Sequence, residues 1–477
     1  MWTQLFLVLG SSLLTATVFF LLFLVLWRPL FNWYFDRFVR RLFTDQYVEN
    51  LLEGFNAMRR HGVQHTIENE LRCAEGRALL KPIGTHRHYP HFDGLLFTPA
   101  QLERQTRQEQ EKVDISITLG RNCKRPLHLK MPMLSSAMGY GVALSKEVLL
   151  AIAKGTAMAG TACNTGQGPY VPEVRSLAHK LIVQLHGAPW KPSEEQLAQA
   201  DMIEIRYGQG ATGGLGTVLE HSHLTPEILA DLGASNMHAS QLYIPAGIPG
   251  IHNVRGLKQL VKHLRSISGG APIALKLAAT HHLEREMMLA IEAGVDVIVL
   301  DGAQGGTHDS PAILVDDFGL PTLAALVRAV RFLEEQKRTD IDIIISGGLR
   351  TPGDMLKAMA LGASAVYLGT PLLFAAVHDQ IVGAIPFEPP TELSFADGSL
   401  THLFDAERGA SSIANFLSSC AEEIEIGIRA LGKTSLAEVN RKDLVAWQKE
   451  VAEITSLPYI ADPAPPASPV RRRLKRL

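Results

Sequence analysis

Residues 342–371 read DIIISGGLRTPGDMLKAMALGASAVYLGTP, and this stretch decides the fold. A short β-branched run at 343–345 closes on Gly347 and Gly348, the pattern of a buried strand entering a tight turn. Thr351 and Pro352 then supply a helix cap and a first helical residue ahead of an apolar face of Met355, Leu356 and Met359. Gly362 stops that helix, and a second strand-type run at 365–368 ends on Gly369, Thr370 and Pro371. Strand, turn, helix, strand, turn is a parallel unit, because parallel neighbours need a crossover where antiparallel ones need only a hairpin.

Outward from it the same unit recurs. Strand-type runs at 132–138, 160–165, 181–186, 202–207, 272–278 and 295–302 precede the two at 342–348 and 365–371. Amphipathic segments such as SKEVLLAIAKGTAMA and GLKQLVKHLRSI lie between them. Eight strands alternating with helices predict an α/β chain whose centre, 115–385, is a (β/α)8 TIM barrel, with helical extensions at 31–114 and 386–460. The interval between the fourth and fifth runs, about 65 residues, is too long for one crossover and implies an inserted loop at 208–255. An open doubly wound sheet would carry a G-x-G-x-x-G after its first strand, and that fingerprint is absent.

Composition bounds the rest. With 46% apolar and 20% charged residues among 477, the bulk of the chain is not disordered. Lys+Arg of 46 against Asp+Glu of 48 leaves a net charge of -2, which argues against nucleic-acid binding. Cys73, Cys123, Cys163 and Cys420 are too scattered for a locally encoded metal or cluster site, so no metal and no iron–sulfur cluster is expected. Residues 5–27 are an uncharged apolar run; at about 1.5 Å per residue it reaches roughly 34 Å, enough for a hydrocarbon core of about 30 Å. Arg28, Arg37, Arg40 and Arg41 follow, so 1–30 is expected to be an uncleaved single-pass anchor with the catalytic domain on the cytoplasmic side. The histidine-rich HRHYPHFDG at 86–94 reads as a solvated loop, and 461–477 as a disordered basic tail.

Barrel sites sit at the C-terminal strand ends. Strands seven and eight end on glycine pairs and GTP, so a phosphate is expected against Gly347, Gly348, Gly369 and Thr370. Lys276, alone in the apolar ALKLA of strand five, needs an anion. A reduced flavin offers one; a Schiff base or a lysine reaching out to solvent are the other readings. Gln184 on strand three could serve both donor and acceptor edges of a flavin ring, and Ser136 and Met138 lie where small residues would admit a flat ring. Asn164 and Thr165 join the rim from strand two. Asp301 and His308 on the strand-six loop are candidate acid–base groups.

At these residues the chain resembles the flavin mononucleotide (FMN)-binding domain of the glutamate synthase family. The stretches that carry the resemblance are PMLSSAMGYGVALSKE, AMAGTACNTGQGP, ADMIEIRYGQGATGG, IALKLA, DGAQGGTHDSPAILVDDFGLP and ISGGLRTPGDMLKAMALGASAVYLGTPLLFA, colinear over about 115–375. The resemblance implies FMN contacts at Ser136, Met138, Gln184, Lys276, Gly347, Gly348 and Gly369, and reduction of 2-iminoglutarate, formed from 2-oxoglutarate and ammonia, to glutamate. The chain departs from the family pattern in four places. The three-cysteine cluster segment after strand eight reads PLLFAAVHDQIVGAIPF, so an electron-donor subunit is expected. No amidotransferase cysteine opens the chain, so glutamine-derived ammonia would need another protein. The arginine-bearing loop after strand three reads HGAPWKP, and the acidic residue of the strand-six loop is Gln304. These departures leave room for a changed substrate, or for a non-catalytic flavin-binding subunit of a membrane complex. Other flavin or nucleotide barrels fit less well: 302–340 has no nucleophilic cysteine, and His308 has no neighbouring arginine.

Overall fold

The computed structural model describes residues 2–102, 104–221, 224–233, 240–380 and 391–463. It forms two compact units, 1–79 and 80–477, so the expected 31–114 extension is divided between them. The first unit holds the helix Trp2–Thr44, with Pro29 inside it, followed by helices Leu51–His61 and Val63–Glu75. Its first helix runs beyond the expected anchor, to Thr44, and is the one helix among the described residues long and apolar enough to cross a membrane. The expected tail lies outside the described residues from 464 onward.

The second unit is built on eight parallel strands: β1 Met133–Ser135, β2 Ala162–Asn164, β3 Lys180–Leu185, β4 Met202–Arg206, β5 Ile273–Ala278, β6 Val297–Asp301, β7 Asp342–Ser346 and β8 Ala365–Leu368. Each is followed by a helix: α1 Lys146–Ala159, α2 Pro172–Leu177, α3 Glu194–Ala198, α4 Val254–Ile267, α5 Leu283–Ala293, α6 Thr322–Glu335, α7 Pro352–Ala360 and α8 Thr370–Ala376. The sheet runs β1-β8-β7-β6-β5-β4-β3-β2, a TIM-type barrel closed except that β1 and β2 touch without a ladder. Local chemistry sets the boundaries. Ser145 caps α1 at the Val148 N–H and left-handed Gly160 ends it, while Thr351 caps α7 ahead of Pro352.

Side chains of one parity fill the barrel: Leu134, Ala162, Ile182, Met202, Ala274, Val297, Val299, Ile344, Ala365 and Tyr367. Leu119, Leu127 and Leu129, from a hairpin pairing Ile117–Leu119 with Leu127–Leu129, join this cluster and close the N-terminal end. The Gly120 N–H of that hairpin donates to Asp342 at the start of β7, 2.7 Å away. The other parity packs under the helices. Two features differ from expectation. The 208–255 insertion is partly ordered, with an antiparallel pair Thr217–Glu220 and Gln241–Ile244 flanking the helix Pro226–Asp231. The histidine-rich stretch is solvated only in part: Arg87, His88 and Asp93 are exposed, whereas His91 and Phe92 are buried, because this segment lies along the barrel and its continuation Leu95–Phe97 pairs with Leu444–Ala446 from the far end of the chain. The C-terminal helix Ala406–Ala430 packs on α1, where Gly155 admits it so closely that a Cβ there would lie 2.7 Å from the Ala410 carbonyl oxygen.

Candidate active site

The inward parity of the barrel continues past its apolar layers into polar ones. Along β4, Met202 is followed at two-residue steps by Glu204 and Arg206; along β3, Ile182 by Gln184; along β5, Ala274 by Lys276; along β6, Val299 by Asp301; along β2, Ala162 by Asn164. The upper end of the barrel is therefore a ring of buried polar side chains.

Glu204, fully buried, organises one half of it. Its Oε1 accepts from Gln184 Nε2 at 2.6 Å and from Asn164 Nδ2 at 3.1 Å, and its Oε2 accepts from the Tyr367 hydroxyl at 2.7 Å. Burial, with this carboxylate beside it, raises the Tyr367 phenol well above its ordinary range and keeps it a donor. The Gln184 donor edge is thus engaged by Glu204, while its Oε1 is buried without a partner. Of the two edges expected to serve a ring, the acceptor edge is the one left open among the described residues.

Lys276 and Asp301 form the other half. The ammonium lies 3.6 Å from Asp301 Oδ2, which also accepts from the Gly210 N–H at 3.2 Å, and Asp301 Oδ1 has no partner. Arg206 stands beside them at 1% exposure, and among the described residues it has no carboxylate partner. With the Gln167 amide turned so that its oxygen faces the guanidinium, the orientation that satisfies both groups, that oxygen accepts from Nη1 at 3.0 Å and Nη2 at 3.2 Å. Burial lowers its pKa to about 10, against the pull of Asp301, and it remains a cation at neutral pH. His186 follows β3 into the same region. Burial drives its pKa down to about 4, so the ring is neutral; Nδ1 accepts from the Ala188 N–H at 3.3 Å and Nε2 is unpartnered.

The turns around this ring pack backbone to backbone. A Cβ on Gly139, after β1, would fall 2.3 Å from the Gly168 nitrogen after β2, so both loops require glycine. At the β8 end, a Cβ on Gly369 would lie 3.0 Å from Ser136 Oγ and 3.9 Å from Met138 Sδ, which places these three expected residues together. Gly347 and Gly348 adopt left-handed φ of 113° and 71° at the β7 end, and Thr370 begins α8. Thr165 Oγ1 accepts from the Gln184 N–H at 3.0 Å and fixes the strand-two rim.

The hydrogen bonds of His308 lead to other groups. Nε2 lies 2.8 Å from Asp397 Oδ1, Nδ1 lies 3.5 Å from Asp309 Oδ1, and the ring rests on Phe395. Burial alone would lower its pKa; the two carboxylates outweigh burial and raise it to about 9. Gln304, at the acidic position of the family pattern, accepts from Thr322 N and Oγ1 at 2.8 and 2.9 Å and so braces the start of α6. Sequence reading missed Glu204, Arg206, His186, Gln167 and Tyr367; the two-residue step from Met202 is the signal that reaches the first two.

The family described as "Conserved region in glutamate synthase" matches residues 87–434, nearly three quarters of the chain. The chain belongs to the glutamate synthase family. Among curated relatives it is similar to the glutamate synthase large subunit-like protein of Rhizobium meliloti, with 31% identity over 82% of this chain and 92% of that protein. It is also similar to the archaeal glutamate synthase [NADPH] of Methanocaldococcus jannaschii, with 31% identity over 71% of this chain and 66% of the relative. A third, the archaeal-type glutamate synthase [NADPH] of Thermotoga maritima, is 28% identical over 77% of each chain. The barrel is thus that of a glutamate synthase-type oxidoreductase, and its polar ring occupies the strand ends where barrel enzymes carry out chemistry.

Proposed function

We propose that this chain is an FMN-dependent oxidoreductase that reduces 2-iminoglutarate, the imine of 2-oxoglutarate and ammonia, to glutamate. The observation that carries the reading is the set of buried polar atoms left without partners: Gln184 Oε1, Asp301 Oδ1 and His186 Nε2, all at the upper end of the barrel beside the cations Lys276 and Arg206. Buried polar atoms are ordinarily satisfied, so a cluster of unsatisfied ones fits a polar ligand. The set suits a flavin: an amide acceptor at Gln184 braced through Glu204 by Asn164, a fixed ammonium at Lys276, small or soft side chains at Ser136 and Met138, and glycine turns at Gly347, Gly348 and Gly369, followed by Thr370, for a phosphate.

When bound and reduced, FMN would supply the hydride that turns the protonated imine into the product amine. The residues do the rest. Lys276 stabilises negative charge beside it. Arg206 anchors a substrate carboxylate, supplying from β4 the guanidinium that the HGAPWKP loop lacks. Asp301 Oδ1 accepts a hydrogen bond from the imine N–H, and His186 donates one to a second carboxylate or carbonyl oxygen. Electrons enter from a separate donor subunit, since the segment after β8 has no cysteine. The helix Trp2–Thr44 anchors the enzyme to a membrane. The purified chain should be yellow and release FMN on denaturation. It should form glutamate from 2-oxoglutarate, ammonia and an artificial reductant. Colourless protein without FMN affinity, or a turning-over flavin that yields no glutamate, would refute the reading at the corresponding level.

A further inference from the structure

We propose that His91 holds the cofactor phosphate, donating its Nε2–H to a phosphate oxygen at the Gly348 turn. The inference rests on the FMN reading above and adds a ligand from outside the barrel strands. His91 comes from the segment preceding the Leu95–Phe97 pairing and is 6% exposed. Its Nδ1 faces Arg350 Nη2 at 3.2 Å. A guanidinium has donors only, so Nδ1 accepts, and in the neutral ring the proton sits on Nε2. Burial holds the imidazole pKa below its ordinary value, against the pull of Asp354, and so favours that neutral ring.

The Nε2 donor is buried and, among the described residues, makes no hydrogen bond of normal geometry, although the Gly348 backbone lies near enough to pull the imidazole pKa up slightly. It points at the end of β7, because a Cβ on Gly348 would lie 3.6 Å from it. The Gln304 side chain walls this spot on one side, its Cβ 2.8 Å from a Cβ on Gly348, and glycine backbone borders it elsewhere. A Cβ on Gly347 would lie 3.0 Å from the Gly305 nitrogen, and one on Gly306 would lie 3.7 Å from Thr370 Oγ1. A phosphate oxygen seated among these glycines would give the orphan donor its acceptor. Arg350 acts as a positioning residue. Its charge is shared with Asp93 at 3.1 Å and Asp354 at 3.7 Å, and its hydrogen bond sets the histidine tautomer.

Riboflavin carries the same ring as FMN without the phosphate, which gives the test. The full chain, stripped of flavin, is titrated with FMN and with riboflavin by fluorescence quenching. His91→Phe should lose about tenfold or more in FMN affinity and leave riboflavin affinity unchanged. His91→Gln, which keeps an N–H near the Nε2 position, should recover most of the loss. Equal losses for both flavins, or no loss, would overturn the proposal. Should the phenylalanine variant fail to fold, the histidine ¹⁵Nε2–H resonance of the unmodified protein decides: it should differ between the riboflavin and FMN complexes, and identical resonances would overturn the assignment. An unmodified chain that takes up neither flavin would instead refute the FMN reading itself.

Discussion

Arg206 is the residue on which the substrate assignment turns. It is buried with no ion-pair partner among the described residues, and removing it should act on substrate more than on flavin. Arg206→Met is expected to raise the KM for 2-oxoglutarate about tenfold or more while the FMN content of the purified protein stays unchanged. Lys276→Ala should make the flavin midpoint potential more negative by roughly 30 mV or more, because the reduced form loses its counter-charge; spectroelectrochemistry reads this directly. His308 makes a pH prediction. Its folded pKa, about 9, lies above the ordinary 6.5, so its contribution to stability is full below about 6.5 and is lost as pH rises through about 9. The stability gap between the unmodified chain and His308→Gln should be roughly 1–3 kcal/mol at pH 6 and close to nothing by pH 10 in denaturant titrations. Single residues were unevenly legible in the sequence. Lys276 announces itself as a lone charge between apolar neighbours. Arg206, in MIEIRY, looks like the outer face of an alternating strand, and only the barrel's inward parity reverses that impression. His91 was invisible because its partner Arg350 lies 259 positions away.

Among elements, β4 shows how a strand can be apolar on its helix side and chemically active inside. Ile203 and Ile205 pack outward under the helices, while Met202, Glu204 and Arg206 step from core to site. Glu204 is a buried carboxylate satisfied by three donors from β2, β3 and β8, so it also ties four strands together. Tyr367→Phe removes one of those donors and should destabilise the barrel by about 1–3 kcal/mol, seen as a lower urea midpoint with an unchanged slope. The eight strands were legible because each pairs a β-branched or apolar run with a terminal glycine or polar turn. The Thr217–Glu220 and Gln241–Ile244 pair was not. Each arm is only four residues long, and the intervening segment spreads the arms beyond any hairpin turn signal.

The whole molecule divides at residue 79, where the contacts of the first unit end and those of the barrel unit begin. A chain beginning at residue 80 should stay in the supernatant after ultracentrifugation of cell lysate and retain FMN in equal proportion to protein, if the apolar helix serves only as anchor. Partition of this fragment with membranes would count against that role. Composition and the uncharged run at 5–27 made the division broadly legible, but not its position, because residues 80–97 look no more like a barrel than 31–79 do. Those residues join the barrel unit through the pairing of Leu80–Lys81 with Ser310–Pro311 on the strand-six loop, and through that of Leu95–Phe97 with Leu444–Ala446, reinforced by Trp447 Nε1 donating to the Asp93 carbonyl at 2.7 Å. That clasp imposes an order in time. On the ribosome, His91 emerges early and waits through the synthesis of every barrel strand, and the segment that pins it in place arrives only when residue 446 has left the exit tunnel. A nascent chain halted after β8 would already hold the Leu80–Lys81 pairing with Ser310–Pro311 and the Arg350 contact to His91, but would lack the Leu444–Ala446 clasp, so on the FMN reading its phosphate seat should be the looser one.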